Sequence, residues 1–168
     1  SDWSSDVCSS DLANIAPDDP LIGLARLRRA TIAEHAGLTE DALRELEQVA
    51  RDYPDSSMPY ASMADILRQK QRYAEAIPAY DKAIARITSP RRGTWSLFYA
   101  RGIAHDRAHN WPKAEADLKR AMELSGNQPY ILNYLGYSWA DRGEHLAEAR
   151  GLIERSEEHT SELQSLAY

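Results

Sequence analysis

The most regular feature of the chain is an alternation of small and large apolar residues that returns at a fixed interval. Between Ser57 and Pro90, Tyr60, Met63, Ala64 and Leu67 share one face of a first predicted helix, and Ala76, Tyr80 and Ala83 one face of a second. One period earlier stand Ala42, Leu46 and Val49, closed by Pro54. Past a short insertion come Phe98, Gly102 and His105, then Ala114, Leu118 and Ala121. A last copy has Leu132, Leu135, Gly136 and Trp139, then Ala149 and Ile153. Self-similarity on this scale predicts stacked helical hairpins. Small residues such as Ala76, Ala114 and Gly136 mark where two helices approach closely, and Tyr80 and Leu118 fill the space between hairpins. One hairpin cannot bury its apolar face alone, so several must stack.

Local signals place the helix ends. A first helix begins near Pro20, capped by Asp18 or Asp19, and runs to about Ala36; Gly37 stops it, and Thr39 is the next N-cap for a helix ending near Tyr53. Ser57 caps the next hairpin, with Pro59 tolerated in its first turn. Pro78 lies inside a helix from about Tyr73 to Ile87, where one lost backbone bond and a mild bend are expected. The polar insertion Ser89 to Thr94 reads as an exposed turn whose Arg91 and Arg92 could meet an acidic partner. Helices follow over Trp95 to Ala108, Trp111 to Leu124 with Asn110 as cap, and Tyr130 to Arg142 ended by Gly143, with a last one from near Leu146.

These residues resemble the tetratricopeptide repeat family, whose pattern is W-x2-L-G-x2-Y, then A-x3-F, then P. The fourth copy fits the first-helix pattern best, and the second and third fit the second-helix pattern best. The resemblance implies an all-α fold, a right-handed superhelical solenoid of about four helical hairpins over residues 23–154, the last truncated. Its repeats are 23–56, 57–90, 95–128 and 129–154, preceded by a linker and helix start over 13–22. Arg26, Arg29 and Ala33 replace large residues in the first copy, and Arg101 replaces the usual Leu in the third.

Both ends depart from this pattern. Residues 2–12, DWSSDVCSSDL, and 155–165, RSEEHTSELQS, resemble translated sequencing adapters: AGA TCG GAA GAG encodes RSEE, and its reverse complement, read one base in, encodes SSD followed by a CT-initiated Leu codon. Both tails, 1–12 and 155–168, are therefore set aside from fold and function; the second contains good helix formers that could extend the preceding helix. This changes the charge. The whole chain carries −6, but residues 13–154 hold 19 Lys and Arg against 20 Asp and Glu, or −1. Cys8, the single cysteine, falls in the first tail. With signs intermixed there is no basic stripe to draw a nucleic acid, and no apolar run approaches the ~20 residues that span a bilayer.

Candidate chemistry adds little. His105 and His109 share a helix face at metal-ligand spacing, but no HExxH glutamate or third ligand accompanies them; His105 sits at a packing position and His109 at a turn. His35 and His145 fall at hairpin turns and read as solvent-facing. Carboxylates lie on helix exteriors at pairing distance, as Glu115 and Lys119 do. No phosphate loop, nucleophile elbow or metal cluster appears, so neither catalysis nor a cofactor is expected. By the resemblance, the first helix of each hairpin lines a concave groove for a peptide or protein partner, formed by Asp65, Arg68 and Gln69; Tyr99, Ile103, Asp106 and Arg107; and Tyr130, Asn133, Tyr137 and Asp141. Asn133 could hold a peptide backbone, and Arg68 and Arg107 could hold carboxylates. The carboxylate clamp of some cochaperone members is not present, since Thr31, Asp65 and Ile103 stand where an Asn would help. The expectation is a non-catalytic protein-interaction scaffold. The alternatives are an accessory arm of a larger enzyme and a spacer that self-associates through its stack ends. The run LNYLGYSWADRG resembles bacterial members, many of which work at the cell envelope or periplasm.

Overall fold

One turn geometry closes every hairpin. The computed structural model describes residues 20–89 and 92–165. Eight α-helices run through them: α1 Pro20–His35, α2 Thr39–Asp52, α3 Met58–Gln69, α4 Tyr73–Ala85, α5 Trp95–Arg107, α6 Trp111–Ser125, α7 Pro129–Arg142 and α8 Leu146–Ser165. A 3-10 turn, Arg92–Thr94, precedes α5. Gly37, Gln71, His109 and Gly143 occupy the same position in successive repeats, and their φ angles are 80°, 61°, 60° and 68°. Each donates to the carbonyl three residues back, at 2.9–3.0 Å. The next N–H reaches back five, Leu38 to Ala33, Arg72 to Leu67, Asn110 to His105 and Glu144 to Trp139, at 2.8–2.9 Å. This pair of bonds satisfies the last carbonyls of a helix as a Schellman motif. The repeat imposes it even where Gln71 and His109 bear the cost of a side chain in the left-handed region.

The caps differ from expectation. Thr39 is the first residue of α2, and Leu38 precedes it without a side-chain bond. Ser57 and Asn110 stand at N-cap positions, yet neither side chain caps its helix. Leu38 carries no acceptor, and Asn110 has ψ of 68°, not the extended backbone that aims a capping oxygen at the free N–H groups. Pro78 lies within α4, which continues through it. The expected linker, the Asp18 or Asp19 cap, the tail with Cys8, Arg91 and the Arg92 side chain all fall outside the described residues and side chains.

The predicted apolar face is the core. Ala42, Ala76, Tyr80, Ala83, Ala114, Leu118, Ala121 and Leu135 have no exposed surface. A Cβ on Gly136 would stand 3.0 Å from the Ala149 carbonyl oxygen, so the α7–α8 crossing leaves no room for a side chain. The arginines that replace apolar residues are neutralised. Arg101 grips Asp117 with two bonds of 2.7 Å and reaches Asp81 at 2.7 Å; Arg26 bonds Glu45 at 2.8 Å and also Asp52. Helix α8 passes through Arg155 without a break, and Ser156 falls on the same buried face as Ala149 and Leu152. No strand occurs among the described residues, and no described helix is long and apolar enough to cross a membrane.

Candidate functional site

Stacking buries one face of α1, α3, α5 and α7 against partner helices and leaves the opposite faces in a row. Two clefts open on this wall. The first, of about 220 Å3 between α1 and α3, is lined by Thr31, Glu34, His35, Ser62, Asp65 and Gln69, with Leu46 and Ile66 beneath. The second, of about 530 Å3 between α5 and α7, brings together Tyr99, Asp106, Arg107, Tyr130, Asn133, Tyr137 and Asp141 from the sequence-based set, and adds Tyr134, Ser138 and Arg142. Aromatic rings from α5 and α7 fill the space between those two helices.

The rings of the second cleft hold one another. Tyr99 meets Tyr130 edge-on at 5.2 Å and Tyr134 at 6.0 Å, while Trp95 lies 5.6 Å from Tyr130. Such contacts fix a ring beyond what its burial does. Below them a polar bridge joins the two hairpins: the Tyr134 hydroxyl donates to Asp106 at 2.8 Å, and Arg142 donates to the other Asp106 oxygen at 2.6 Å while stacking over Trp111 at 4.0 Å. Burial pushes the Tyr99, Tyr130 and Tyr134 phenols above their usual range, with Asp106 adding to the effect on Tyr134, so all three remain protonated donors near neutral pH. Arg107, Asn133, Tyr137 and Asp141 have no hydrogen bond or ion pair among the described residues.

The first half of the wall is different. The Tyr80 hydroxyl, rising from α4, donates to Asp65 at 2.5 Å and accepts from Arg68 Nε at 3.1 Å. Lys70, at the C-cap of α3, pairs with Glu34 of α1 at 2.9 Å. Asp65 and Arg68 are thus already engaged, Gln69 lines the first cleft, and Ile103 is half-buried on α5 outside both clefts.

Tyr134, Ser138 and Arg142 lie outside the sequence-based set, which follows the single stripe Tyr130, Asn133, Tyr137 and Asp141 of α7. The run YILNYLGY carries the signal, since Tyr130, Tyr134 and Tyr137 are spaced i, i+4, i+7 on a single helix face. His105 is buried with Nδ1 unpartnered, and burial pushes its pKa down. His109 lies in the turn. No group of three or more metal-capable side chains occurs among the described residues. His145 is exposed at its turn, as expected, with one side of its ring 4.9 Å from the Trp139 ring. Glu115 pairs with Lys119 at 2.8 Å and also accepts from the Trp139 indole at 2.9 Å.

Comparisons with known proteins agree with this architecture. Two sequence profiles, each described as tetratricopeptide repeat, match residues 55–127 and 99–160. A TPR repeat-containing protein of Pseudomonas aeruginosa is 24% identical over 144 residues, covering 85% of this chain and 24% of that protein. The chain therefore spans about a quarter of that relative's length. Among solved structures, MamA superposes with a TM-score of 0.73 at 19% identity, over 89% of this chain and 84% of that one. YrrB, described as a TPR protein with an unusual peptide-binding site, gives 0.73 at 20% identity, over 90% and 73%. At these identities the structures speak to the fold.

Proposed function

The chain belongs to the tetratricopeptide repeat family, and we propose that it is a non-catalytic scaffold that holds a segment of a partner protein on the wall formed by α1, α3, α5 and α7. The observation that carries this reading is the cleft between α5 and α7. It presents rigid rings and the unengaged polar groups of Arg107, Asn133, Tyr137 and Asp141 to solvent, whereas a wall made only for solubility would gain nothing from ordered aromatics. Exposed Tyr130 and Tyr137 supply contact area at low entropic cost. The preformed site would take a peptide with little rearrangement, which lowers the cost of association. The peptide-binding site described for the similarly folded YrrB supports the reading by analogy.

Selection of a random peptide library on the full chain tests it. Enriched peptides are expected to lose about tenfold or more in affinity when Asn133 and Tyr137 are both replaced by Ala. Peptides that bind the variant as well as the parent chain would place the binding surface elsewhere. Asp65, Arg68 and Gln69 extend the proposed track; their substitution affects long peptides more than short ones.

A further inference from the structure

We propose that a second site lies away from the inner wall, in the groove between α2 and α4 over α3, and that it takes the indole side chain of a tryptophan from a partner protein. The repeat supplies the first argument. Leu67, His105 and Trp139 occupy one repeat position, since each accepts the five-residue bond that closes its turn; four residues earlier stand Met63, Arg101 and Leu135. On the second helices Ala79, Asp117 and Leu152 correspond, each three residues past a buried alanine, Ala76, Ala114 or Ala149. Between α6 and α8 this space is filled by Trp139 and Leu152, 5% and 7% exposed, and the Trp139 indole donates to Glu115 at 2.9 Å beside Lys119. Between α4 and α6 it is filled by Arg101, gripped by Asp117 and Asp81. Between α2 and α4 the corresponding residues are Leu67, Met63 and Ala79, and a cavity of about 400 Å3 remains.

The lining selects the occupant. Ala50, Tyr60, Met63, Leu67 and Ala79 form an apolar floor and wall. The Tyr60 ring is held by Arg86, which stacks 4.1 Å over it, and a fixed ring favours a second aromatic beside it. A guanidinium like that of Arg101 would fit poorly: Ala79 stands where Asp117 does, so the paired carboxylates are not reproduced, and the cations Arg51 and Lys82 lie on the rim. The open acceptor is Glu47, at the position of Asp81, exposed and with no hydrogen bond or ion pair among the described residues. Glu75 on α4 is already held by Arg72 at 2.8 and 2.7 Å. An apolar slot with one free acceptor at its edge matches an indole, which has a large apolar face and a single N–H donor. Trp139 makes that same partnership with Glu115 inside the chain.

Amide NMR spectra of the full chain titrated with N-acetyltryptophanamide test this, with the leucine, tyrosine and 1-methyltryptophan counterparts as controls. The Glu47, Ala79 and Lys82 cross-peaks are expected to shift saturably with the tryptophan probe, and the controls to bind severalfold more weakly. Ala79→Leu places in the groove the side chain found at position 152 and should weaken the probe tenfold or more. Glu47→Ala, at an exposed site, should weaken it severalfold and erase its advantage over 1-methyltryptophan, which keeps the test decisive where Ala79→Leu disturbs the fold. Asn133→Ala and Tyr137→Ala should leave this binding unchanged, so its success or failure is separate from that of the inner-wall reading. The inference is overturned if none of the three cross-peaks shifts, if the leucine probe binds as tightly, or if Glu47→Ala binds the tryptophan and 1-methyltryptophan probes just as the parent chain does.

Discussion

The two halves of the inner wall are built from the same repeat, yet one has used its polar groups and the other has kept them. Between α1 and α3, Glu34 holds Lys70, and a buried tyrosine engages Asp65 and Arg68 from beneath. Between α5 and α7, the bridge from Tyr134 and Arg142 to Asp106 fastens one hairpin to the next, and the groups above it remain open. In the first half the Tyr80 tie lies within a hairpin and spends the groups that face the cleft, while Glu34–Lys70 links hairpins at its edge; in the second half the tie across hairpins leaves the facing groups open. A repeat position thus determines where a side chain points, while its neighbours decide whether anything is left for a ligand.

Several changes would break or sharpen this contrast. The largest effect is expected from Tyr80→Ala. It removes a fully buried side chain and the engagement of Asp65 and Arg68 together, and urea unfolding should show a loss of about 3–5 kcal/mol. Alkaline pH should act on both halves. Burial raises the Tyr80 and Tyr134 pKa values above the ordinary 10.0, with an aspartate adding to each. Both phenols therefore stay protonated in the folded chain after they would ionise in the unfolded one. Stability is retained below pH 10 and declines above it, by at most about 1.4 kcal/mol per pH unit for each phenol. Melting curves between pH 8 and 12 read this directly, and a flat profile would show that neither hydroxyl is held.

Asp106→Ala should cost about 1–3 kcal/mol, because it strands Tyr134 and Arg142. It should also loosen the cleft, seen as weaker peptide capture at unchanged helix content. Asp65→Ala removes the acceptor of the buried Tyr80 hydroxyl and should also cost about 1–3 kcal/mol, without loosening the α5–α7 cleft. Equal losses of peptide capture at the two aspartates would erase the distinction between the halves. His109→Gly should stabilise the fold by up to about 1 kcal/mol by relieving the left-handed residue in the α5–α6 turn, and the melting temperature measures the gain. The smallest change in stability, within about 0.5 kcal/mol, is expected at Asn133→Ala, an exposed and unengaged side chain; its effect belongs to binding alone.

What the sequence by itself determined was the period, and through it the helices, their pairing and their buried face. Ala76, Tyr80, Ala114, Leu118 and Leu135 could be assigned inward because helical geometry repeats every few residues and is blind to the rest of the molecule. Gly37 and Gly143 announced two turns, while Gln71 and His109 adopt the same backbone with no residue type to announce it, because stacking imposes the turn on whatever side chain is present. Tyr137 and Asn133 could be placed on the wall from their position. That Asp65, Arg68 and Asp106 are engaged and that Tyr134 and Arg142 join the cleft were decided by the tertiary structure. These depend on contacts between residues some 3 to 36 positions apart, most of them on different helices, whose distances only the stacked hairpins set.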